Sequence, residues 1–126
     1  MGAASAWAGT ECVTADGRIL YVLEVKGTQD SLRPGELLSQ VDIWLDTRVV
    51  SSSKMYYGSG VKLGPLKSEL TDMVTISESR GNGIRTKRFA ARLTLTKNSP
   101  SDPSDFGIEL PLTKPVLCVQ EEGDTI

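Results

Sequence analysis

Apolar and polar residues alternate over short stretches of this chain, and turn-forming residues separate the stretches. The first such turn is Asp16-Gly17, a dipeptide typical of two-residue β-turns. Every second residue after it is large and apolar: Ile19, Tyr21, Leu23 and Val25. Because the side chains of a strand alternate between its two faces, this pattern predicts a β-hairpin that joins residues 11–15 to residues 18–26.

A second hairpin is predicted around Asn82-Gly83, which joins residues 73–79 to residues 84–97. Within the longer strand, one face carries Phe89, Leu93 and Leu95, and the other face carries Arg88 and Arg92. We expect the apolar face to form a wall of the core.

Residues 36–50 fit two patterns. A helical stripe would contain Leu37, Leu38, Val41, Trp44 and Leu45, whereas a strand would place Val41, Ile43 and Leu45 on one face. The β-branched and aromatic residues favour a strand over 40–50. Leu66–Leu70 fits one helical turn, and the segments 27–35 and 98–105 are rich in Gly, Pro, Ser and Asp, as surface loops are.

Six to eight short segments separated by turns predict a mainly β fold, either an antiparallel sandwich or a closed barrel, with at most one short helix. A chain of 126 residues has the size of a single domain. We expect that domain over residues 9–120. Residues 1–8 are interpreted as a signal-peptide remnant or a disordered N-terminus, and residues 121–126 as a frayed acidic tail.

Export is predicted from two features of the sequence. Cys12 and Cys118 allow one intramolecular disulfide, which would tie the first strand to the last and would require an oxidising compartment. Ala6-Trp7-Ala8 has the small-x-small spacing that signal peptidase accepts. We therefore expect a periplasmic or secreted protein. No window approaches the ~20 consecutive apolar residues of a membrane-spanning helix.

Chemical motifs are scarce in this sequence. The chain has no His, which removes the commonest general base and metal ligand, and its two Cys do not form a CxxC pair. Ser51 and Lys54 have the Ser-x-x-Lys spacing of penicillin-recognising enzymes, but the partner motifs are absent and an ordinary polar strand is favoured. We expect no enzymatic activity, no metal and no cofactor, although Ser, Lys, Tyr and carboxylates leave catalysis without His open.

The main electrostatic feature lies between residues 80 and 97. Six cations occur there without an acid: Arg80, Arg85, Lys87, Arg88, Arg92 and Lys97. Because the whole chain has a net charge of −2, subtracting these six leaves −8 for the remainder. A basic stripe beside Phe89 is a feature of proteins that bind nucleic acid, an anionic lipid surface or an acidic protein, but an exposed strand balanced by Glu69, Asp72 and Glu78 is favoured. We expect no binding to nucleic acid.

The residues around 56–64 form the predicted contact surface for another protein. Adjacent aromatic residues provide anchor area at low entropic cost, and a Gly-rich loop can enter a concave partner. The candidate binding residues are Tyr56, Tyr57, Ser59, Gly60 and Lys62, together with Arg88 and Arg92. Ser59-Gly60-Val61-Lys62-Leu63 resembles, at its first two positions, the Ser-Gly-x-x-Tyr loop of small periplasmic lysozyme inhibitors, with Leu63 in place of Tyr. That resemblance implies that Ser59 enters a lysozyme cleft from a disulfide-tied barrel.

Two functional hypotheses follow. The first is a non-catalytic protein-binding or inhibitor module that presents loops from a rigid β scaffold. The second is a structural or assembly protein of the cell envelope, in which exposed strand edges or the basic strand contact other chains.

Overall fold

The computed structural model describes residues 5–26 and 32–125, and every regular element in that part is a strand. The eight strands are β1 (Ser5–Thr14), β2 (Ile19–Val25), β3 (Leu37–Leu45), β4 (Arg48–Tyr56), β5 (Gly60–Lys62), β6 (Leu66–Gly81), β7 (Ile84–Lys97) and β8 (Leu112–Thr125). The predicted mainly β fold is confirmed. Residues 40–50 are strand rather than helix, as predicted, but a turn at 46–47 divides them between β3 and β4. The helical turn predicted for Leu66–Leu70 is wrong, because these residues begin β6 and pair with β7.

The strands form one antiparallel sheet in the order β5-β4-β3-β2-β1-β8-β7-β6. The first and last strands of the chain are therefore neighbours at the centre of the sheet, and β5 and β6 are its edges. Over the described ranges no strand ladder joins β5 to β6, so the sheet is not a closed barrel. The domain is sandwich-like, with its core between the two halves of the curled sheet.

Both predicted hairpins are confirmed, and each turn has a local physical cause. In the β1–β2 turn, the Thr14 hydroxyl donates a hydrogen bond to Asp16 Oδ1 (2.6 Å), and the Gly17 amide donates to the Thr14 carbonyl (2.9 Å). In the β6–β7 turn, Asn82 and Gly83 have φ of 52° and 76°. Positive φ at both central residues is the geometry that Asn-Gly favours in a tight hairpin.

Residues from six strands supply the core on the inner face of the sheet. The twelve buried apolar residues are Cys12, Ile19, Tyr21, Ile43, Leu45, Leu66, Phe89, Ala91, Leu93, Leu95, Val116 and Cys118. The predicted inward face of β7 is thus confirmed, and Arg88 and Arg92 lie exposed on its outer face. The segment between β7 and β8 is a loop whose Phe106, Ile108 and Leu110 pack against this core.

Serine side chains join β4 to the beginning of β6 where no ladder does. Ser51 Oγ accepts a hydrogen bond from the Leu66 amide (3.1 Å) and donates one to the Leu66 carbonyl (3.4 Å). Ser53 Oγ accepts a hydrogen bond from the Gly64 amide (3.0 Å), and Asn98 Nδ2 donates to the Gly64 carbonyl (2.7 Å). We call these contacts the serine seam.

The sequence-based boundaries need two corrections. Residues 121–125 are not a frayed tail, because they complete β8 and pair with β1. Residues 5–8 likewise belong to β1 rather than to a disordered N-terminus. Parts of three predicted segments lie outside the described residues: 1–4 of the N-terminal segment, 27–31 of the surface loop and 126 of the acidic tail. The rest of that loop leads into β3 through a turn at Pro34-Gly35.

Candidate binding surfaces

The two cysteines lie directly opposite each other in the β1–β8 ladder. Cys12 and Cys118 are register partners with Cα atoms 4.0 Å apart, and they form a disulfide. Both side chains are buried, with 0% and 2% of their surface exposed. The bond links the first strand to the last, as the sequence predicts, and it lies on the inner face of the sheet.

The predicted contact residues of the 56–64 region surround the β4–β5 turn. Tyr56 and Tyr57 are half-buried, whereas Ser59, Gly60 and Lys62 are exposed. The Tyr57 amide donates to the Glu36 carbonyl (2.9 Å), and the Tyr57 carbonyl accepts from the Gly35 amide (2.7 Å). These two bonds fix the β4–β5 turn to the turn before β3.

Three apolar side chains beside this turn are not among the seven candidate binding residues. Met55 and Val61 are register partners, and they are 44% and 56% exposed. Leu63, two positions further along, is 65% exposed. The surface therefore combines apolar residues with Ser59 and Lys62.

Arg88 and Arg92 do not join the β4–β5 turn in one site. No ladder joins β4 or β5 to β7 among the described residues. Arg92 instead has its Nε 3.6 Å from Asp72 Oδ2, on the neighbouring strand β6. The seven candidate binding residues thus belong to two separate surfaces.

The basic stretch of residues 80–97 is divided between the end of β6, where Arg80 pairs with Arg85, and the two faces of β7, and acids lie beside several of its cations. Arg85 Nη1 lies 3.8 Å from Glu122 Oε2, and Lys87 is the register partner of Glu78. Lys97 Nζ donates to the Asp102 carbonyl (2.7 Å). This arrangement supports the balanced strand rather than a continuous cationic surface. A polar depression of about 520 Å³ beside the β6–β7 turn contains both Arg85 and Glu122.

The Ser-x-x-Lys spacing is not a catalytic arrangement in this fold. Ser51 faces the core and is occupied by the serine seam, and its register partner Ile43 is also buried. Lys54 lies three residues further along β4, which places it on the opposite face. Among the described residues, no three His, Cys, Asp or Glu side chains form a group that would hold a metal ion. No helix in that part of the chain is long and apolar enough to cross a membrane.

The largest unpredicted feature is a row of apolar residues on the outer face of the sheet. Val74 of β6 pairs with Ala90 of β7, Ala90 with Leu117 of β8, and Leu117 with Val13 of β1. Register partners point to the same face. Val74, Leu117 and Val13 are 63%, 62% and 39% exposed. We call these four residues the outer apolar row.

The backbone edge of β6 beside this row is irregular. Register shifts occur between Thr71 and Val74 and between Thr75 and Ser77, and Asp72 has a positive φ of 53°. Bulges of this kind twist an edge strand and hinder the addition of another strand. The exposed feature at this side of the domain is therefore the apolar side chains rather than an open ladder.

No single-strand pattern marks the outer apolar row. Leu117 lies in the run Val116-Leu117-Cys118-Val119, whose alternation with polar residues is lost, so its face depends on pairing with β1 and β7. The row could be found only from the register of the ladders between β6, β7, β8 and β1, and that register cannot be assigned until the strand order is known. Comparison of the chain with protein-family models, with curated proteins and with solved structures gave no match.

Proposed function

We propose that this chain is a non-catalytic protein-binding domain whose partner contacts the outer apolar row. The observation that carries the proposal is the exposure of Val74 and Leu117, at 63% and 62%, in one continuous row with Ala90 and Val13. Single exposed apolar residues are ordinary on soluble proteins, but contiguous apolar surfaces are typical of interaction sites. Three of the four strands beneath the row, β7, β8 and β1, are fixed by ladders on both sides, so most of the surface is preorganised for binding.

We also propose that the domain works outside the cytoplasm. The Cys12–Cys118 disulfide is compatible with a periplasmic or secreted protein, because such bonds persist in oxidising compartments. The Ala6-x-Ala8 spacing in the sequence agrees with export, and cleavage after Ala8 would shorten β1 to begin at Gly9.

The test compares two leucines of nearly equal exposure on different surfaces. Leu117→Asp introduces a charge into the outer apolar row, and Leu63→Asp introduces the same charge beside the β4–β5 turn, where Leu63 is 65% exposed. Immobilised wild-type and variant domains are exposed to the extracellular proteins of the source cells, and captured proteins are identified and purified. We expect binding of the purified partner to be lost in Leu117→Asp and kept in Leu63→Asp. Equal binding by both variants would contradict the proposal.

A second candidate function uses the β4–β5 turn as an inhibitory contact. It is supported by Ser59 and Lys62, which are exposed, and by the neighbouring apolar residues Val61 and Leu63. This candidate predicts the opposite result, in which Leu63→Asp loses binding. Assays against lysozymes of several classes test the inhibitor form directly, and full lysozyme activity at high molar excess of the domain would exclude it.

A further inference from the structure

We infer that the end of the β6–β7 hairpin binds a phosphate group carried by a soluble molecule, and that Arg80 and Arg85 hold it. Arg80 lies at the end of β6 and Arg85 at the beginning of β7, and the two are register partners across the hairpin. This site is separate from the outer apolar row, which lies on the other face of the sheet, so it is independent of the proposed function.

Both arginines lie on the inner face of the sheet, beyond the end of the core. Arg85 is four positions before Phe89, which is 3% exposed, and residues an even number of positions apart in a strand point to the same face. Register partners also share a face, so Arg80 points there too. Both residues are exposed. The end of the hairpin therefore presents two guanidinium groups to solvent on one side of the sheet.

The two arginines are not fully compensated by acids. Like charges directly opposite each other in an antiparallel pair destabilise that pair. Glu122 Oε2 lies 3.8 Å from Arg85 Nη1, but Glu122 Oε1 already accepts a hydrogen bond from Gln120 Nε2 (2.8 Å). Among the described side chains, no carboxylate oxygen lies within 4.0 Å of the Arg80 guanidinium. A local arrangement that opposes stability in this way is typical of a functional site.

There is space for a ligand beside both arginines. They line the polar depression of about 520 Å³ at the β6–β7 turn. A neighbouring depression of about 170 Å³ shares Arg85 and Glu122 with it and is also lined by Lys87 and Glu78. Three cations and two acids thus surround the two depressions. Their surface is net positive, although the whole chain carries a charge of −2.

A phosphate group matches these donors. A guanidinium group can donate two parallel hydrogen bonds to an oxyanion. A phosphate monoester has a charge of about −1.5 to −2 and three acceptor oxygens, so it can accept from both arginines and offset both charges. A carboxylate has one charge and two oxygens, and it can offset only one of them. Because the whole chain is net negative, an anionic bilayer would repel it, which favours a soluble molecule over a lipid head group.

An NMR titration of the full chain with inorganic phosphate, at constant ionic strength, tests the inference. We expect saturable shifts of the backbone amides of residues 81–85 and of the Nε–H signals of Arg80 and Arg85, with a dissociation constant of the order of 1 mM. Acetate should bind at least about fivefold more weakly. Shifts that increase linearly up to about 30 mM phosphate would overturn the inference.

Substitutions at the hairpin identify the groups that bind. Arg80→Gln and Arg85→Gln should each raise the dissociation constant at least about fivefold. Arg88→Gln is the matched control, because Arg88 is exposed on the outer face of the same strand, and it should stay within about twofold of wild type. Glu122→Gln should lower the dissociation constant several-fold, because it removes the negative charge beside Arg85. Equal weakening by Arg85→Gln and Arg88→Gln would mean that phosphate only screens the cations, and would overturn the site.

Urea unfolding provides an independent measurement. A ligand that binds only the folded chain stabilises it. Phosphate also stabilises folded proteins in general, so the quantity that matters is the difference between wild type and Arg85→Gln. We expect phosphate, compared with chloride at the same ionic strength, to raise the urea midpoint of wild type more than that of Arg85→Gln. Equal increases would count against a specific site.

Vesicle flotation distinguishes the two sources of a phosphate group. Phosphatidylcholine vesicles with and without phosphatidic acid are mixed with wild type and with Arg85→Gln. We expect no binding to either kind of vesicle. Binding of wild type to the vesicles with phosphatidic acid, abolished in Arg85→Gln, would overturn the assignment to a soluble molecule.

Discussion

Ser51 and Leu66 hold together two strands that share no ladder. The Ser51 hydroxyl accepts from the amide of Leu66 at 3.1 Å and donates to its carbonyl at 3.4 Å, so one side chain satisfies both backbone groups. Ser51 is 4% exposed, and Leu66 is 2% exposed. Buried backbone groups without partners are costly, so this hydroxyl has a structural role that its place in a Ser-x-x-Lys spacing does not suggest.

Removal of that hydroxyl is expected to destabilise the domain. Ser51→Ala leaves the amide and carbonyl of Leu66 buried without this partner, and should lower the free energy of unfolding by about 1–3 kcal/mol. Urea unfolding measures the change. Ser52→Ala is the matched control, because Ser52 points to the outer face, where its hydroxyl accepts only one long hydrogen bond, from Gln40 Nε2 (3.4 Å), and it should cost less than Ser51→Ala. Equal changes in the free energy of unfolding for the two substitutions would show that the hydrogen bonds between Ser51 and Leu66 do not stabilise the domain.

Gly64 is expected to tolerate no side chain. A Cβ at this position would lie 2.5 Å from Ser51 Oγ and 2.6 Å from the Ser52 carbonyl oxygen. Since the backbone of β4 cannot move without disturbing its ladder to β3, Gly64→Ala should cost about 1–3 kcal/mol of stability. Gly81→Ala provides the comparison, because its Cβ would meet no heavy atom within 4 Å. A Gly64→Ala variant that unfolds at the same urea concentration as wild type would show that the close contact between Gly64 and β4 leaves room for a methyl group.

The disulfide is expected to contribute a large share of the stability. Cys12 and Cys118 are 106 positions apart, and a loop of about 100 residues corresponds to about 4–5 kcal/mol in the chain-entropy model. The double variant Cys12→Ala/Cys118→Ala should therefore lose about 3–5 kcal/mol, measured by urea unfolding against the oxidised wild type. A loss below about 1 kcal/mol would mean that the unfolded chain is already constrained in another way.

The pKa of Asp46 is expected to depend on Arg18. Arg18 donates from Nε to Asp46 Oδ1 (2.9 Å) and from Nη2 to Oδ2 (2.7 Å), and this hydrogen bonding holds the pKa of Asp46 below its ordinary value. A carboxyl whose pKa is depressed by folding stabilises the fold above its unfolded pKa of about 3.9, and this contribution disappears as the pH falls through the folded pKa.

An NMR titration of wild type and Arg18→Gln measures this effect. The substitution should raise the pKa of Asp46 towards about 3.9. The pKa of Asp102, which its hydrogen bonds with Ser104 lower, should remain unchanged. An unshifted Asp46 in Arg18→Gln would show that the ion pair does not persist in solution.

Local signals in the sequence predict the parts of this fold that depend on local chemistry. Asn82-Gly83 specifies its hairpin because few other residues adopt positive φ at both central positions, and the first hairpin needs Gly17, whose φ is 72°. The inward face of β7 follows from the spacing of Phe89, Leu93 and Leu95 alone. The disulfide could be predicted because two cysteines allow a single pairing.

The parts that sequence reasoning missed depend on contacts between distant residues. Leu66–Leu70 shows a helical spacing, yet pairing with β7 and the hydrogen bonds to Ser51 determine its conformation. The outer apolar row exists only when four strands are aligned in register. Each of its residues by itself is an ordinary member of a strand.

The central position of β8 affects how the chain acquires its structure during synthesis. Strands β1–β5 can pair with one another as they emerge, and β6 and β7 can form their hairpin, but neither group contacts the other through a ladder before residues 112–125 are made. Until then, β1 and β7 each have a bare edge, and Cys12 has no partner. Because the connecting contacts are remote in sequence, we expect folding to be slow and to occur as one late step. In a chain that crosses a membrane in an extended state, β8 would also be the last strand to pair. Formation of the Cys12–Cys118 disulfide would then show that the sheet is complete.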